Sequence, residues 1–226
     1  MRIDIITCAP NLLKGALGHF IFQRAIDGGM LHVELHNLRD YAHTKYRKID
    51  DEPYGGGAGM VLMIEPIDNC ISALKRKHTY DEVIYMAPDG VLLTQGLVND
   101  LSLKENLIIL CGHYKGVDER VREHLVTMEI SIGDYVLSGG EWPAIVLSDA
   151  IARLLPGVLS DAASALTDSF QDGLVDAPLY TRPFSYKGMH VPDILVSGHH
   201  RAIQDWQQSK RVSRTKERRP NLLPQD

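Results

Sequence analysis

Cysteine is scarce in this 226-residue chain: Cys8, Cys70 and Cys111 are odd in number, far apart and without CxxC spacing. Such spacing points to neither a disulfide framework nor a structural zinc site, and it suits a reducing cytoplasm. Long hydrophobic runs are also missing, since no uninterrupted apolar stretch approaches the roughly 18 residues of a membrane span. The opening "MRIDIITCAP" carries Asp4 inside a short apolar run and has no small-residue cleavage pattern, so it reads as a first β-strand and not a signal peptide. The expectation is a soluble, cytoplasmic protein without membrane contact. An excess of positive charge is absent too: the formal charge is −5, which does not advertise nucleic-acid binding. Phosphate-cradling motifs are lacking. Neither "YGGGAGM" nor "GDYVLSGGE" supplies the lysine of a P-loop, and "APNLL" follows the first strand where a dinucleotide fingerprint needs glycines.

What is present is an ordinary apolar fraction of 44%, enough for a proper core. Short runs rich in Ile, Val, Leu and Tyr ("RIDIITC", "HVELHNL", "DEVIYMAP", "ENLIILCG") alternate with helical segments such as "IEPIDNCISALKRKH" and "TQGLVNDLS". That alternation predicts an α/β domain with a mainly parallel sheet covered by helices. Strands of this kind deliver ligand-binding loops at their carboxyl ends. "MAPDG" follows one strand, "CGHYKG" another, and "SIGDYVLSGGE" lies between the apolar "VTMEI" and a helix with Pro143 in its first turn. Three glycine-bearing loops then share one expected crevice. Without lysine and flanked by Tyr and Leu, they fit a backbone-lined pocket for an uncharged or zwitterionic ligand, although any one of them alone would pass for a turn.

The polar, small-residue segment "VLSDAASALTDSFQDG" reads as a linker, giving an expected division into residues 1–158, a linker 159–170 and a small domain 171–226. Charge is uneven across that division. Between His199 and Pro220 stand seven Lys and Arg against Asp205 and Glu217, a local +5 that leaves −10 for the remainder. A basic terminal helix on an acidic body suits an RNA-contacting surface and equally a solvated face. Ile203, Trp206 and Val212 are expected to face a small core while Lys210, Arg211 and Arg214 stay wet. A second cluster, "HTKYRK", mixes aromatic and cationic side chains, a weak signal that suits stacking plus phosphate contact.

Together the strings become specific. "DDEPYGGGAGM", "CGHYKGVDER", "SIGDYVLSGGE", "DSFQDGLVDAPLYTRP" and "VPDILVSGHH" stand in the order found in the bacterial tRNA (guanine-N1)-methyltransferases, the TrmD family, and the resemblance runs over essentially the whole chain. It implies an α/β fold with a deep C-terminal trefoil knot of the SPOUT type, which general topology rules would have argued against, followed by a small helical domain. It also implies S-adenosylmethionine as cofactor, tRNA as partner and a homodimer whose active sites are shared between subunits. The nearly all-apolar helix "WPAIVLSDAIARLL" is compatible with burial in such an interface and equally with burial in the core.

Carried over by motif, the cofactor pocket is expected to be lined by Tyr85, Pro88, Gly112, Ile132, Gly133, Asp134, Tyr135, Val136, Leu137, Gly139 and Gly140. The substrate implied is the guanosine 3′ of the anticodon, preceded by another guanosine, methylated at N1. That nitrogen carries a proton at neutral pH, so a carboxylate must take it and a cation must hold the charge developing on O6. Asp168 matches the family's base and Arg153 its electrostatic partner. By residue type alone, Asp168 also suits a helix N-cap and Arg153 an i,i+4 pair with Asp149. Asp50 suits reading of the preceding guanosine, or stabilisation of its own turn. Tyr114, Ser164, Ser169, Lys210, Arg211 and Arg214 complete the expected substrate contacts, the last three as phosphate grips.

Two departures stand out: His113 and Lys115 occupy places where the family often carries Arg and Glu, which puts any contact of that glutamate to the cofactor in doubt. The His199–His200 pair has no second set of ligands, so no metal site is assigned, and assistance by Mg²⁺ through the RNA is left open. A knotted 2′-O-ribose methyltransferase and a non-catalytic RNA-binding protein remain as alternatives at this stage.

Overall fold

A computed structural model describes residues 1–159 and 168–223. The chain forms two compact units, Met1–Ala162 and Ala163–Asp226.

The first unit is built on five strands: β1 (Arg2–Thr7), β2 (His32–Asn37), β5 (Glu82–Leu92), β6 (Asn106–Cys111) and β7 (Met128–Ser131), with a two-residue pair β3 (Asp50–Asp51) and β4 (Val61–Leu62) between them in sequence. The five strands pair in the order β2-β1-β6-β5-β7, all parallel. Helices follow the strands: α1 (Pro10–Leu17), α2 (Phe20–Asp27), α3 (Ile64–Lys75), α4 (Gln95–Ser102), α5 (Glu119–His124) and α6 (Glu141–Ala152).

Side-chain alternation along each strand feeds two apolar layers. Ile3, Ile5, Ile84, Leu107 and Ile109 pack with Leu13, Phe22, Leu101, Leu147 and Ile151 of the helices on one face. Ile6, Val83, Tyr85, Ile108 and Leu110 pack with Ile67, Ile71, Leu74 and Val121 on the other. Both faces are dry, so central strands read as continuous Ile/Leu runs. Truncating a fully buried member such as Ile109 to Ala costs about 2–5 kcal/mol through lost burial and the cavity left behind.

One buried charge interrupts β1. Asp4 has no exposed surface, and it accepts hydrogen bonds from Arg2 at 2.6 and 2.8 Å and from the Tyr80 hydroxyl at 2.7 Å, and meets His36 at 2.7 Å. Burial alone would push its carboxyl up, but the bonds from His36, Arg2 and Tyr80 outweigh it and hold the group down at about 2.

In the second unit, α7 (His200–Arg218) is preceded by a hairpin, β8 (Ser185–Tyr186) and β9 (Met189–His190), turning through Lys187 and Gly188, both at positive φ. Thr215 is the buried polar residue of α7: its hydroxyl donates to Arg211 O at 2.7 Å and accepts the Val175 N–H at 3.0 Å, tying the helix to the segment after Asp168.

Candidate functional site

Because the sheet is parallel, β5, β6 and β7 deliver their loops to one edge, and there a cavity of about 260 Å³ opens. Three segments wall it: 85–88, 112–116 and a third made of 130–133, 135–140 and Pro143.

The first wall exists because β5 leaves its ladder. Its pairing with β7 jumps from Met86↔Ile130 to Val91↔Ile130, so residues 87–90 bulge out and carry Pro88, which has no N–H to give the ladder, to the cavity. The return needs Gly90, where a Cβ would stand 2.6 Å from the Glu129 and Ile130 backbone. Tyr85, 4% exposed, lays its ring and hydroxyl 2.9 Å from where a Cβ of Gly112 would be. Above that ring the Arg122 guanidinium sits at 5.8 Å, itself clamped by Glu129 and by Asp89 at 2.8 Å. Burial pushes the Tyr85 phenol up, so it stays a neutral donor.

The second and third walls meet at a glycine crossing. The Gly140 N–H donates to Gly112 O at 2.8 Å, and Gly139 bridges His113 in antiparallel fashion. A Cβ on Gly140 would lie 2.7 Å from Gly112 N and 2.8 Å from Cys111 Cα, closer than any side chain is accommodated. Gly133, at φ 143°, lets the chain turn under Tyr135, whose hydroxyl donates to Ile132 O at 3.3 Å. From this turn the chain enters α6 at Glu141, a buried carboxylate that accepts from the Thr7 hydroxyl at 2.7 Å and sits at the positive end of the helix dipole.

Tyr85, Pro88, Gly112, Ile132, Gly133, Tyr135, Val136, Leu137, Gly139 and Gly140 all line this one cavity. Asp134 is exposed and is not among the lining residues. Tyr114, expected on the substrate side, lines the same cavity, at φ 59° and stacked edge-on to His113 at 4.7 Å. His113 and Lys115, the two departures from the family pattern, line it as well, and so do Ser131, Ser138 and Pro143, which sequence reasoning did not assign to the site. Their signal was their place inside the strings already singled out. The stem of Lys115 crosses Gly59 and its N–H donates to Met60 O at 3.0 Å, which brings the glycine-rich 55–59 loop beside the cavity.

Asp50 lies in β3, opposite Leu62 and outside the cavity lining. The turn-stabilising role falls to its neighbour, for Asp51 accepts from the Glu52 N–H at 2.9 Å and from Lys48 at 2.8 Å. Among the described residues the Asp50 carboxylate forms no hydrogen bond or ion pair.

Arg153 caps the carboxyl end of α6, its N–H donating to Asp149 O at 3.1 Å, and is half-buried in the first unit. Asp168, also half-buried, opens the described part of the second unit. Ser169 accepts the Asp176 N–H at 3.0 Å, and Ser164 lies outside the described residues.

Of the three cations expected to stay wet, Arg211 does not: it makes a bidentate pair with Asp172 at 2.7 and 2.5 Å, with only 19% of its side chain exposed. Arg214 turns inward as well, donating to Asp176 O at 3.3 Å. Both are drawn toward the segment after Asp168 because its carboxylate and carbonyls face α7. Lys210 remains exposed over the Trp206 ring at 5.7 Å.

Comparison with known proteins agrees over the whole chain. The family model described as tRNA (Guanine-1)-methyltransferase TrmD matches residues 1–225. A tRNA (guanine-N(1)-)-methyltransferase of Flavobacterium johnsoniae is 60% identical over 223 residues, 99% of each chain. One of the same name from Bacteroides thetaiotaomicron is 57% identical over the same extent. The crystal structure of the tRNA (m1G37) methyltransferase from Aquifex aeolicus superposes with a TM-score of 0.80 at 40% identity, covering 97% of this chain and 93% of that one.

Proposed function

Since this chain belongs to the tRNA (guanine-1)-methyltransferase TrmD family, we propose that it transfers a methyl group from S-adenosylmethionine to N1 of the guanosine 3′ of the anticodon, position 37, in tRNAs where a guanosine precedes it. The observation that carries the reading is the convergence of three glycine-bearing loops on one cavity at the carboxyl edge of the parallel sheet.

The cavity suits the cofactor by its chemistry. Its walls offer backbone N–H and C=O groups at Gly112 and 132–140 with Tyr85, Pro88 and Leu137 as apolar cover, and glycines where side chains would fill the space. When bound, S-adenosylmethionine supplies an electrophilic methyl. The chain's own part is to move a proton and hold a charge. Asp168 accepts the N1 proton of the guanine, and Arg153 offsets the negative charge that grows on O6. Asp50, uncommitted in its own turn, accepts from the edge of the preceding guanine. Lys210 contributes phosphate contact and so sets salt dependence more than sequence choice.

The knot belongs to the same reading. The Gly140–Gly112 hydrogen bond and the missing Cβ atoms support a chain that threads back past the end of β6 before entering α6. A homodimer is supported by apolar side chains left in water on the cavity wall and on α6, which follows it: Val136 is 90% exposed, and Tyr135, Trp142 and Val146 about half. Two copies covering these residues would complete each cavity with the partner's surface.

Mass spectrometry of digested, methylated tRNA tests the reaction. 1-Methylguanosine is the expected product, and a 2′-O-methylated nucleoside in its place overturns the assignment.

A further inference from the structure

Three side chains to which the methyl-transfer reading gives no role come together at the glycine crossing; Cys8 and Glu141 lie outside the cavity lining, and His113 is part of it. Cys8 follows β1, His113 follows β6 and Glu141 opens α6. A sulfur, a ring nitrogen and a carboxylate oxygen from these residues all lie within 4.8 Å of one another. Glu141 is 3% exposed, and its Oε1 is held by the Thr7 hydroxyl, which in turn accepts the Ala9 N–H at 2.9 Å. That leaves Oε2 for another partner. Nδ1 of His113 is buried and has no hydrogen-bond partner among the described residues. An unpaired buried nitrogen costs about 1–3 kcal/mol, so its position calls for a ligand. Gly139 keeps the space beside both atoms clear: a Cβ there would stand 2.4 Å from Glu141 Oε2 and 2.8 Å from His113 Nδ1.

We propose that Cys8, His113 and Glu141 form a binding site for a thiophilic divalent cation of the Zn²⁺ class, with a fourth position open to water. Thiolate, imidazole and carboxylate are a zinc ligand set and a poor one for Mg²⁺ or Ca²⁺, which take oxygen donors. The Thr7 hydroxyl is the outer partner that orients the ligating carboxylate. Sequence spacing hides such a site because its ligands lie on three distant segments. Ligation would pin the end of β1 to the crossing that forms the cavity wall. The inference stands on these side chains alone and does not depend on the methyl-transfer reading.

The experiment uses untagged full-length protein, stripped with chelator and titrated with Co²⁺ and then Zn²⁺. One Co²⁺ per chain with a thiolate-to-metal charge-transfer band, displaced by Zn²⁺, is expected. Cys8→Ser should abolish the band, His113→Ala should weaken Zn²⁺ binding at least tenfold, and Thr7→Val should weaken it about 10–100-fold. Alkylation of the wild-type protein needs no variant: saturating Zn²⁺ should protect Cys8, read by peptide mass spectrometry. Co²⁺ bound without a thiolate band, or Cys8 alkylated at the same rate with and without Zn²⁺, would overturn the site.

Discussion

At Gly140, the distance from an added Cβ to Gly112 N is 2.7 Å, and the neighbours it would meet are backbone atoms that cannot rotate away. Gly140→Ala is therefore expected to cost about 1–3 kcal/mol of stability or more and to abolish cofactor binding. Urea unfolding and calorimetry with S-adenosylmethionine check this, and an unchanged affinity would show that the crossing does not shape the pocket. Asp168→Ala is expected to lower single-turnover methylation about 10²–10⁴-fold with cofactor affinity nearly unchanged. Near-wild-type transfer would remove Asp168 from the chemistry. Residue type alone could not separate Asp50 from Asp51 in "DDEPYGGG", because which carboxylate turns back on the chain depends on the register of β3 against β4. Nor could it see that Asp134 falls outside the cavity lining while Tyr114, held at positive φ, joins it.

Elements carry the next level. The network around Asp4 ties β1, β2 and Tyr80, and its acid dependence follows from the sign of the shift. The folded-state value of about 2 lies below the unfolded value near 3.9. The stabilisation is thus complete above pH 4 and disappears as the pH falls from about 4 to about 2. Asp4→Asn should flatten the slope of unfolding free energy against pH in that window, measured by urea titration. An unaltered slope would assign acid sensitivity elsewhere. In the second unit, periodicity correctly placed a long basic helix but not its solvent face. Helical spacing says which residues share a side of α7, and not that the chain after Asp168 presents Asp172 and the Asp176 carbonyl to that side. Lys210→Glu should accordingly weaken tRNA binding and reduce its salt slope by about 1. Arg211→Ala should instead act on folding, by about 0.2–1 kcal/mol through the lost pair with Asp172.

For the molecule as a whole, the parallel sheet and its loops at one edge were legible because Ile/Leu-rich strands alternating with helices leave few other arrangements. The β5 bulge was not: "MAPDG" reads as a turn, whereas residues 87–90 leave the ladder and β5 rejoins β7 at the same residue, Ile130. A crossing between residues 140 and 112, far apart in sequence, has no periodic signature at all. Exposure of Val136 and Trp142 likewise had to be seen in three dimensions, and it motivates a dimer test. Val136→Glu with Trp142→Glu is expected to give monomers by analytical ultracentrifugation with activity lost, and an active monomer would contradict shared sites. Guanosine specificity at N1 is tested most directly by single-turnover transfer to two tRNA transcripts differing only in G or A just 3′ of the anticodon. Methylation of the G transcript and none of the A transcript is predicted, whereas equal transfer to both would contradict it.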